Sequence, residues 1–172
     1  MEAGVRLQRV DARPVAVVRR RASSRDLPRV VPEACGLVWN VIRSRKIPGA
    51  GRHVSIYWDD QINLDVGVEL ESPFDGEGEV VGSTTPAGEV VTATHLGPYD
   101  HLHETHRAIL EWCSKRGRTL AGPSWEIYGH WLDEWNTNPA LIRTDVYYLL
   151  KSDESDAGRS PAEDQVGNDV SV

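Results

Sequence analysis

The 172-residue sequence is poor in the features that mark secreted or membrane proteins. It has two cysteines, Cys35 and Cys113, too few for a disulfide framework, so we expect reduced thiols. No apolar run approaches the roughly 20 residues of a membrane-spanning helix, and the N-terminus lacks the apolar segment of a secretory signal. The sequence therefore predicts a cytoplasmic protein without membrane contact.

Several motifs of common enzyme classes are also missing. The sequence contains no CxxC, HExxH, GxxxxGK[ST] or GxSxG pattern. Four histidines lie between His95 and His106, but their spacing is not that of a standard zinc site, and nothing selects one of them as a haem ligand. We expect no metal and no cofactor, and a structural role for His95.

A basic excess, which nucleic-acid binding would require, is absent from the chain as a whole. The net charge is −7, made of +7 over residues 1–46, −10 over 47–150 and −4 over 151–172. The basic N-terminal part is not accompanied by a recognition motif, so we predict no direct nucleic-acid contact. An acidic body favours cationic ligands.

Phenylalanine is nearly absent, whereas tryptophan and tyrosine are common. One Phe stands beside six Trp and five Tyr. Because Trp and Tyr combine a flat apolar ring with a polar edge, they suit hydrated clefts better than dry cores. The composition thus indicates a surface for an amphipathic ligand.

The order of predicted elements is repeated in the two halves of the chain. Strands are predicted over residues 9–21, 53–59, 63–70, 79–85, 89–95, 124–131 and 145–150, with helices opening at Pro32 and after the Leu96–Asp100 turn. An offset of 71 residues pairs Ile56-Tyr57 with Ile127-Tyr128 and Val38 with Ile109. The predicted fold is α+β: two pseudo-symmetric β-α-β-β modules with antiparallel sheets and a central ligand cleft.

Two regions follow from composition. Residues 1–150 form the folded domain. Residues 151–172 hold six acids and no aromatic residue, and we expect a disordered acidic tail there.

Three motifs follow one another in the second half: His95-Leu96-Gly97-Pro98-Tyr99-Asp100, Ala121-Gly122-Pro123 followed by Glu126-Ile127-Tyr128, and Arg143-Thr144-Asp145-Val146-Tyr147. In these motifs and their order the chain closely resembles the GyrI-like (gyrase-inhibitor-like) small-molecule-binding domain, which is also the effector-binding part of AraC- and MerR-type drug-sensing regulators. The resemblance spans residues 6–150, more weakly in the first half. It implies a cleft that binds varied, often cationic and aromatic compounds, and a subset of the family hydrolyses cyclopropane-bearing genotoxins.

Strand alternation selects the candidate cleft residues. The two-residue period, combined with the repeat, predicts one face that collects Tyr57, Glu69, Glu126, Tyr128 and Tyr147. Gly67 would leave room there for a flat ligand. We add Trp39, Trp58 and Trp131 as aromatic walls.

Glu126 is the central candidate, because a carboxylate among apolar and aromatic residues is costly unless it is paired. One interpretation is a counter-charge for a cationic ligand, assisted by cation–π contacts. Another is a structural ion pair with Arg143. The resemblance supports the first, since the family's cleft glutamate lies in the matching segment.

Three functions remain open. The first is a stand-alone binding protein for amphipathic cations, acting in drug sensing, sequestration or resistance. The second is a cyclopropane hydrolase, with Glu126 as general base and Tyr128 or Tyr147 as proton donor. The third is a protein-interaction module of gyrase-inhibitor type. Few residues precede the first strand, so we expect no helix-turn-helix and expect drug sensing to need a regulator protein as partner.

Overall fold

A computed structural model describes residues 4–59 and 63–152; the predicted tail from residue 153 onward lies outside the described residues. The fold is α+β, as predicted, with eight strands and three α-helices among these residues. The strands are β1 Arg6–Val10, β2 Pro14–Arg21, β3 His53–Tyr57, β4 Asn63–Glu69, β5 Val80–Thr84, β6 Gly88–Leu96, β7 Leu120–Tyr128 and β8 Arg143–Leu150. The helices are α1 Leu27–Ser44, α2 Leu102–Lys115 and α3 Glu134–Thr137.

All eight strands form one open antiparallel sheet in the order β1-β6-β8-β7-β3-β4-β2-β5. The predicted repeat is visible in this order. One module is β2-α1-β3-β4, the other is β6-α2-β7-β8, and they join where β3 pairs with β7. The extra strands β1 and β5 extend the sheet at its two edges.

The first module begins differently from the prediction. The single strand expected over residues 9–21 is two strands, β1 and β2, which pair with different partners. Helix α1 begins at Leu27 and not at Pro32, with Pro28 in its first turn. A proline is tolerated there because the first N–H groups of a helix have no intrahelical acceptor.

Each helix covers the outer strands of its own module. Helix α1 packs on β2, β4 and β5, and its buried side chains are Val30, Ala34, Val38 and Ile42. Helix α2 packs on β6 and β8 through Leu102, Ile109, Trp112 and Cys113. The two central strands, β3 and β7, therefore lie between the helices on this face of the sheet, which we call the helix face.

The opposite face buries a separate apolar cluster. Its members include Val15, Val17, Val54, Ile56 and Trp125, each with 2% or less of its surface exposed. Val54, Ile56 and Trp125 alternate along β3 and β7 with residues of the helix face. The central strands are thus constrained on both faces.

Helices that could cross a lipid bilayer are absent from residues 4–59 and 63–152.

Candidate functional site

The pairing of β3 with β7 places one acidic residue at the centre of the molecule. Ser55 lies opposite Glu126 in this register. The same two residues are equivalent under the 71-residue repeat, so the pseudo-two-fold axis passes through this pair. The axis thus has a serine on one strand and a carboxylate on the other, which makes the site asymmetric.

We define the central cleft as the groove on the helix face over β3 and β7, between α1 and α2. Its members come from α1, β3, α2, β7, β8 and the 3-10 turn before α2, and they are joined by hydrogen bonds, ring contacts or strand pairing: Trp39, His53, Ser55, Tyr57, Tyr99, His106, Glu126, Tyr128 and Tyr148.

Glu126 is held by a phenol and an imidazole. Its side chain is 9% exposed, and Oε1 lies 2.7 Å from His106 Nε2. The Tyr128 hydroxyl donates to Oε2. Since that proton is used, the Ser55 hydroxyl, 3.2 Å away, donates to the phenol oxygen. On the other side of the imidazole, the Tyr148 hydroxyl lies 2.7 Å from His106 Nδ1.

The phenols of the cleft are kept protonated. Burial raises the pKa of Tyr128 and of Tyr57, and the nearby Glu126 charge raises both further. A protonated phenol can donate a hydrogen bond and also present its ring face to a cation. The chemistry around Glu126 is therefore neutral and aromatic.

The α1 side of the cleft is closed by a Trp–His contact. Trp39 Nε1 donates to His53 Nε2 at 2.6 Å, and the two rings meet edge-to-face at 5.7 Å. Burial, followed by the nearby His130, lowers the pKa of His53. The lowered pKa favours a neutral imidazole. The hydrogen bond from Trp39 favours it too, because an Nε2 that accepts this hydrogen bond cannot hold a proton.

Arginine does not neutralise Glu126 within the described part of the chain. Arg143, the structural partner considered above, instead bonds Asp145, with Nε 3.3 Å from Oδ1. The structural ion pair between Glu126 and Arg143 is therefore wrong. The cleft is partly open to solvent beside the carboxylate, because 21% of the His106 side chain is exposed.

Several predicted cleft residues lie on the opposite face of the sheet. The single face expected to hold Tyr57, Glu69, Glu126, Tyr128 and Tyr147 does not exist. Residues paired across neighbouring strands share a face, and Glu126 pairs with Val146, whereas Tyr147 pairs with Trp125. Tyr147 stacks on Trp125 with ring centroids 5.2 Å apart, away from the cleft.

Glu69 and Trp58 have structural partners on that opposite face. Glu69 Oε1 accepts from Arg52 Nε at 2.9 Å, and Arg13 lies 3.6 Å from Oε2. Trp58 Nε1 donates to Asp65 Oδ2 at 3.0 Å. The predictions that Glu69 shares the face of Glu126 and that Trp58 is an aromatic wall of the cleft are therefore wrong.

Gly67 does not leave room for a ligand either. A Cβ at this position would lie 1.8 Å from the Ala16 carbonyl oxygen. The glycine is required by the close approach of β2 to β4. The predicted space is occupied by backbone.

Trp131 lies beyond the end of β7 and is 53% exposed. It meets Trp135 edge-to-face at 5.4 Å and donates to Asn136 at 3.2 Å. Its predicted place in the cleft is not supported by a contact with the residues defined above.

The structure brings Trp39, Tyr57, Glu126 and Tyr128 together as predicted, and adds residues that sequence reasoning missed. By periodicity alone, His106 falls on the apolar stripe of α2 and Tyr148 on the apolar face of β8, so neither is a cleft candidate in the sequence. The polar residue within that stripe was the available signal. Pairing His106 with Glu126 required the helix to be placed on the sheet.

Metal binding has little support in the geometry. Over residues 4–59 and 63–152, no three His, Cys, Asp or Glu side chains are grouped as metal ligands. His95, in the strand-to-turn segment, bonds Thr105 Oγ1 at 2.9 Å and the Pro98 carbonyl at 3.0 Å. These contacts connect β6 to the start of α2.

Comparison with solved structures identifies the fold. The EcmrR C-terminal domain is 22% identical with a TM-score of 0.69, and the match covers 89% of this chain and 100% of that one. SAV2435, solved bound to tetraphenylphosphonium, is 9% identical with a TM-score of 0.58, covering 86% and 94%. A hydrolase from Listeria innocua is 13% identical with a TM-score of 0.56, covering 87% and 92%.

No curated protein matches the sequence. A family model does: that of the GyrI-like small molecule binding domain matches residues 4–151, most of the chain. The motifs of the second half, the duplicated fold and the buried carboxylate on the pseudo-two-fold axis agree with this match. The chain belongs to the GyrI-like family of small-molecule binding domains.

Proposed function

We propose that this protein binds amphipathic aromatic cations in the central cleft, with Glu126 as the counter-charge. The observation that supports this most directly is the state of Glu126. Its carboxylate is almost fully buried, and its partners, the Tyr128 phenol and the His106 imidazole, do not include a permanently charged group. A buried carboxylate without a permanent cation gains the most when a ligand brings one.

The surroundings suit a flat cationic ligand. Tyr57, Tyr128 and Tyr148 lie near the carboxylate, and Tyr99 packs edge-to-face on Tyr128 at 5.8 Å. Tyrosine rings attract cations through their faces and provide apolar contact area at the same time. A delocalised or quaternary cation, which has a small desolvation cost, fits this combination better than a primary amine.

Tetraphenylphosphonium is a suitable probe, because it is a permanent aromatic cation. We expect saturable quenching of tryptophan fluorescence on titration of the wild-type protein. Glu126→Gln keeps the hydrogen-bonding shape of the side chain but removes its charge, and we expect it to weaken binding about tenfold or more. The neutral probe triphenylphosphine oxide is the control and should bind both proteins equally.

Two results would overturn the proposal. One is failure of the wild type to bind tetraphenylphosphonium. The other is equal affinity of wild type and Glu126→Gln for the cation. Drug sequestration or resistance follows from binding alone, whereas drug sensing would require a regulator protein that responds to the bound state.

Hydrolysis of a strained electrophile is a second candidate, favoured by the contact between Glu126 and a protonated Tyr128. In this reaction the carboxylate takes a proton from water, and the water oxygen bonds to the electrophilic carbon of a cyclopropane. The ring C–C bond breaks, its electron pair moves to the conjugated carbonyl, and Tyr128 protonates that oxygen. Glu126 then passes the proton it took from water to Tyr128 across their hydrogen bond, so the enzyme is regenerated and the product has gained one water.

Mass spectrometry separates this candidate from binding. Turnover predicts a product heavier by one water, formed by wild type and lost in Glu126→Gln and Tyr128→Phe. Tyr147→Phe is the matched control, since Tyr147 lies on the opposite face. A product formed equally by all four proteins would contradict catalysis in the cleft.

A further inference from the structure

We propose that His106 determines the charge specificity of the cleft: in its protonated form it is an internal cation for Glu126, and an incoming ligand cation replaces its proton. This inference rests on the proposed function. It adds that cation binding releases a proton, and that acidic conditions close the site to cations while leaving neutral ligands unaffected.

The first step is the pair of partners that His106 has. Nε2 faces a carboxylate oxygen at 2.7 Å, and Nδ1 faces a phenol hydroxyl at 2.7 Å. In the neutral ring, Nε2–H donates to Glu126 and Nδ1 accepts from the Tyr148 hydroxyl. In the protonated ring, Nδ1–H donates to the same oxygen of Tyr148, because a hydroxyl group both donates and accepts. Both protonation states therefore fit this geometry without rearrangement.

Two other histidines lack this property. His53 Nε2 accepts from Trp39 Nε1, which requires that nitrogen to be unprotonated. His95 Nε2 must donate to the Pro98 carbonyl, and its Nδ1 bonds Thr105. Neither ring meets a carboxylate in these contacts. Among the three, His106 alone bonds an acidic partner whose charge a proton on the ring would neutralise.

The second step is competition for one charge. A protonated imidazole 2.7 Å from Glu126 cancels the field that attracts a ligand cation, in a region where burial makes charges interact strongly. Ligand cation and imidazolium would also repel each other across the same carboxylate. Binding of a cation is therefore favoured by loss of the proton, and thermodynamic linkage then requires that added protons weaken cation binding.

Other titratable and charged groups surround His106 without replacing it. They come from β6, β7, β8 and α2 itself: His95 next to Thr105, Glu126, Tyr128, Tyr148, His103, Glu104 and Arg107. His103, Glu104 and Arg107 are exposed on α2, and burial raises the pKa of Tyr128 above its usual value near 10. We therefore assign the proton exchange to His106, because it is the histidine in direct contact with the carboxylate that the ligand cation would pair with.

Calorimetry of the full chain with tetraphenylphosphonium tests the inference. Titrations at one acidic pH in buffers of different ionisation enthalpy give the number of protons released. We expect release to approach about one proton at pH 5.5, to fall towards zero near pH 8, and affinity to weaken about tenfold per pH unit on the acidic side. Triphenylphosphine oxide should show neither effect.

His106→Gln is the matched variant, because the glutamine amide can donate to Glu126 from the position of Nε2 but cannot gain a proton. It should bind the cation with pH-independent affinity and without proton release. His103→Gln, an exposed histidine of the same helix, should behave as wild type. Asn at position 106 provides a second neutral side chain should the Gln variant fail to fold.

The outcomes separate the two proposals. Cation binding without proton release, or with the same release in His106→Gln, overturns the role of His106 and leaves the proposed function intact. Absence of cation binding at pH 8, where the imidazole is neutral, overturns the proposed function itself.

Discussion

The two faces of the sheet each bury a glutamate, and they neutralise it in different ways. Glu69, on the opposite face, lies between Arg52 and Arg13, and Arg52 also reaches Asp145 at 3.4 Å. Glu126, on the helix face, has a phenol and an imidazole. A buried acid with permanent cationic partners has a structural role, whereas one whose partners carry no permanent charge can still accept a cation.

The difference comes from position in the duplicated fold. Arg52 lies just before β3, where its guanidinium bridges the two modules by contacting β4 and β8. Glu126 lies on the pseudo-two-fold axis, where its equivalent is a serine. Duplication thus supplied one face that joins the modules and another on which a single substitution between equivalent positions creates a charged site.

The largest expected effect is on the arginine network. Arg52→Met leaves Glu69 and Asp145 without their shared cation, and we expect a loss of about 3–5 kcal/mol in the free energy of unfolding. Urea unfolding measures it. Arg29→Met, which removes an exposed i,i+4 pair with Glu33, should cost less than about 0.5 kcal/mol. Equal losses of stability in the two variants would contradict the view that Arg52 neutralises buried acids on the opposite face.

A second variant tests the close approach of β2 and β4. Gly67→Ala places a Cβ 1.8 Å from the Ala16 carbonyl oxygen, so the backbone must shift, at a cost of about 3 kcal/mol. Gly36→Ala in α1 has no atom within 4 Å of the new Cβ and should stabilise by about 0.5–1 kcal/mol. Thermal unfolding should move in opposite directions. Unchanged stability of Gly67→Ala would contradict the close approach of β2 to β4 at this position.

The third experiment compares the two glutamates directly. Glu69→Gln should lower stability by about 2 kcal/mol, because Arg52 loses a charged hydrogen bond, and should leave tetraphenylphosphonium affinity unchanged. Glu126→Gln should show the reverse pattern, with affinity reduced and stability nearly kept. Chemical denaturation and fluorescence titration on the same samples provide both values. Loss of affinity in Glu69→Gln would place the ligand on the wrong face.

The smallest expected effect is in the alkaline range. Burial and the Glu126 charge raise the pKa of Tyr57 and Tyr128 in the folded protein. Unfolded tyrosines ionise near pH 10, so the stability these phenols contribute is complete below about pH 10 and is lost as the pH rises beyond it. Tyrosinate absorbance should therefore develop in Glu126→Gln at lower pH than in wild type, and Glu69→Gln should leave Tyr57 and Tyr128 unchanged. A changed pKa of Tyr57 and Tyr128 in Glu69→Gln would show that the charge of Glu69 acts on the other face of the sheet.

Much of the fold was predictable because local patterns specify it. The alternation in β4 and β8, the apolar stripe of α2 and the 71-residue repeat gave the elements and the two modules. The division of residues 9–21 into two strands was missed because the strand signal is concentrated in β2, which has three β-branched residues, whereas β1 has only Val10. Strand β1 pairs with β6, whereas β2 pairs with β4 and β5, and all of these pairings are long-range contacts.

The site was predicted in part for a related reason. Alternation along β7 correctly put Glu126 and Tyr128 on one face, and alternation along β8 correctly put Tyr147 opposite Tyr148. Which face of β8 adjoins Glu126 depends on the register Glu126–Val146, and no local pattern specifies it. This unknown register placed Glu69 and Tyr147 in the predicted cleft and left Tyr148 out of it. His106 was missed for a different reason, since its contact with Glu126 depends on how α2 packs on the sheet.

The sequence by itself determined the elements, the duplication and the family, because propensity, periodicity and short motifs are properties of neighbouring residues. It also determined that a glutamate within an apolar strand needs a partner. Only the tertiary structure decided that the partners of Glu126 are Tyr128 and His106 and that those of Glu69 are arginines. Strand register and helix placement bring together residues that are distant in sequence, such as His106 and Glu126, which are 20 positions apart. These contacts distinguish a ligand site from a structural ion pair.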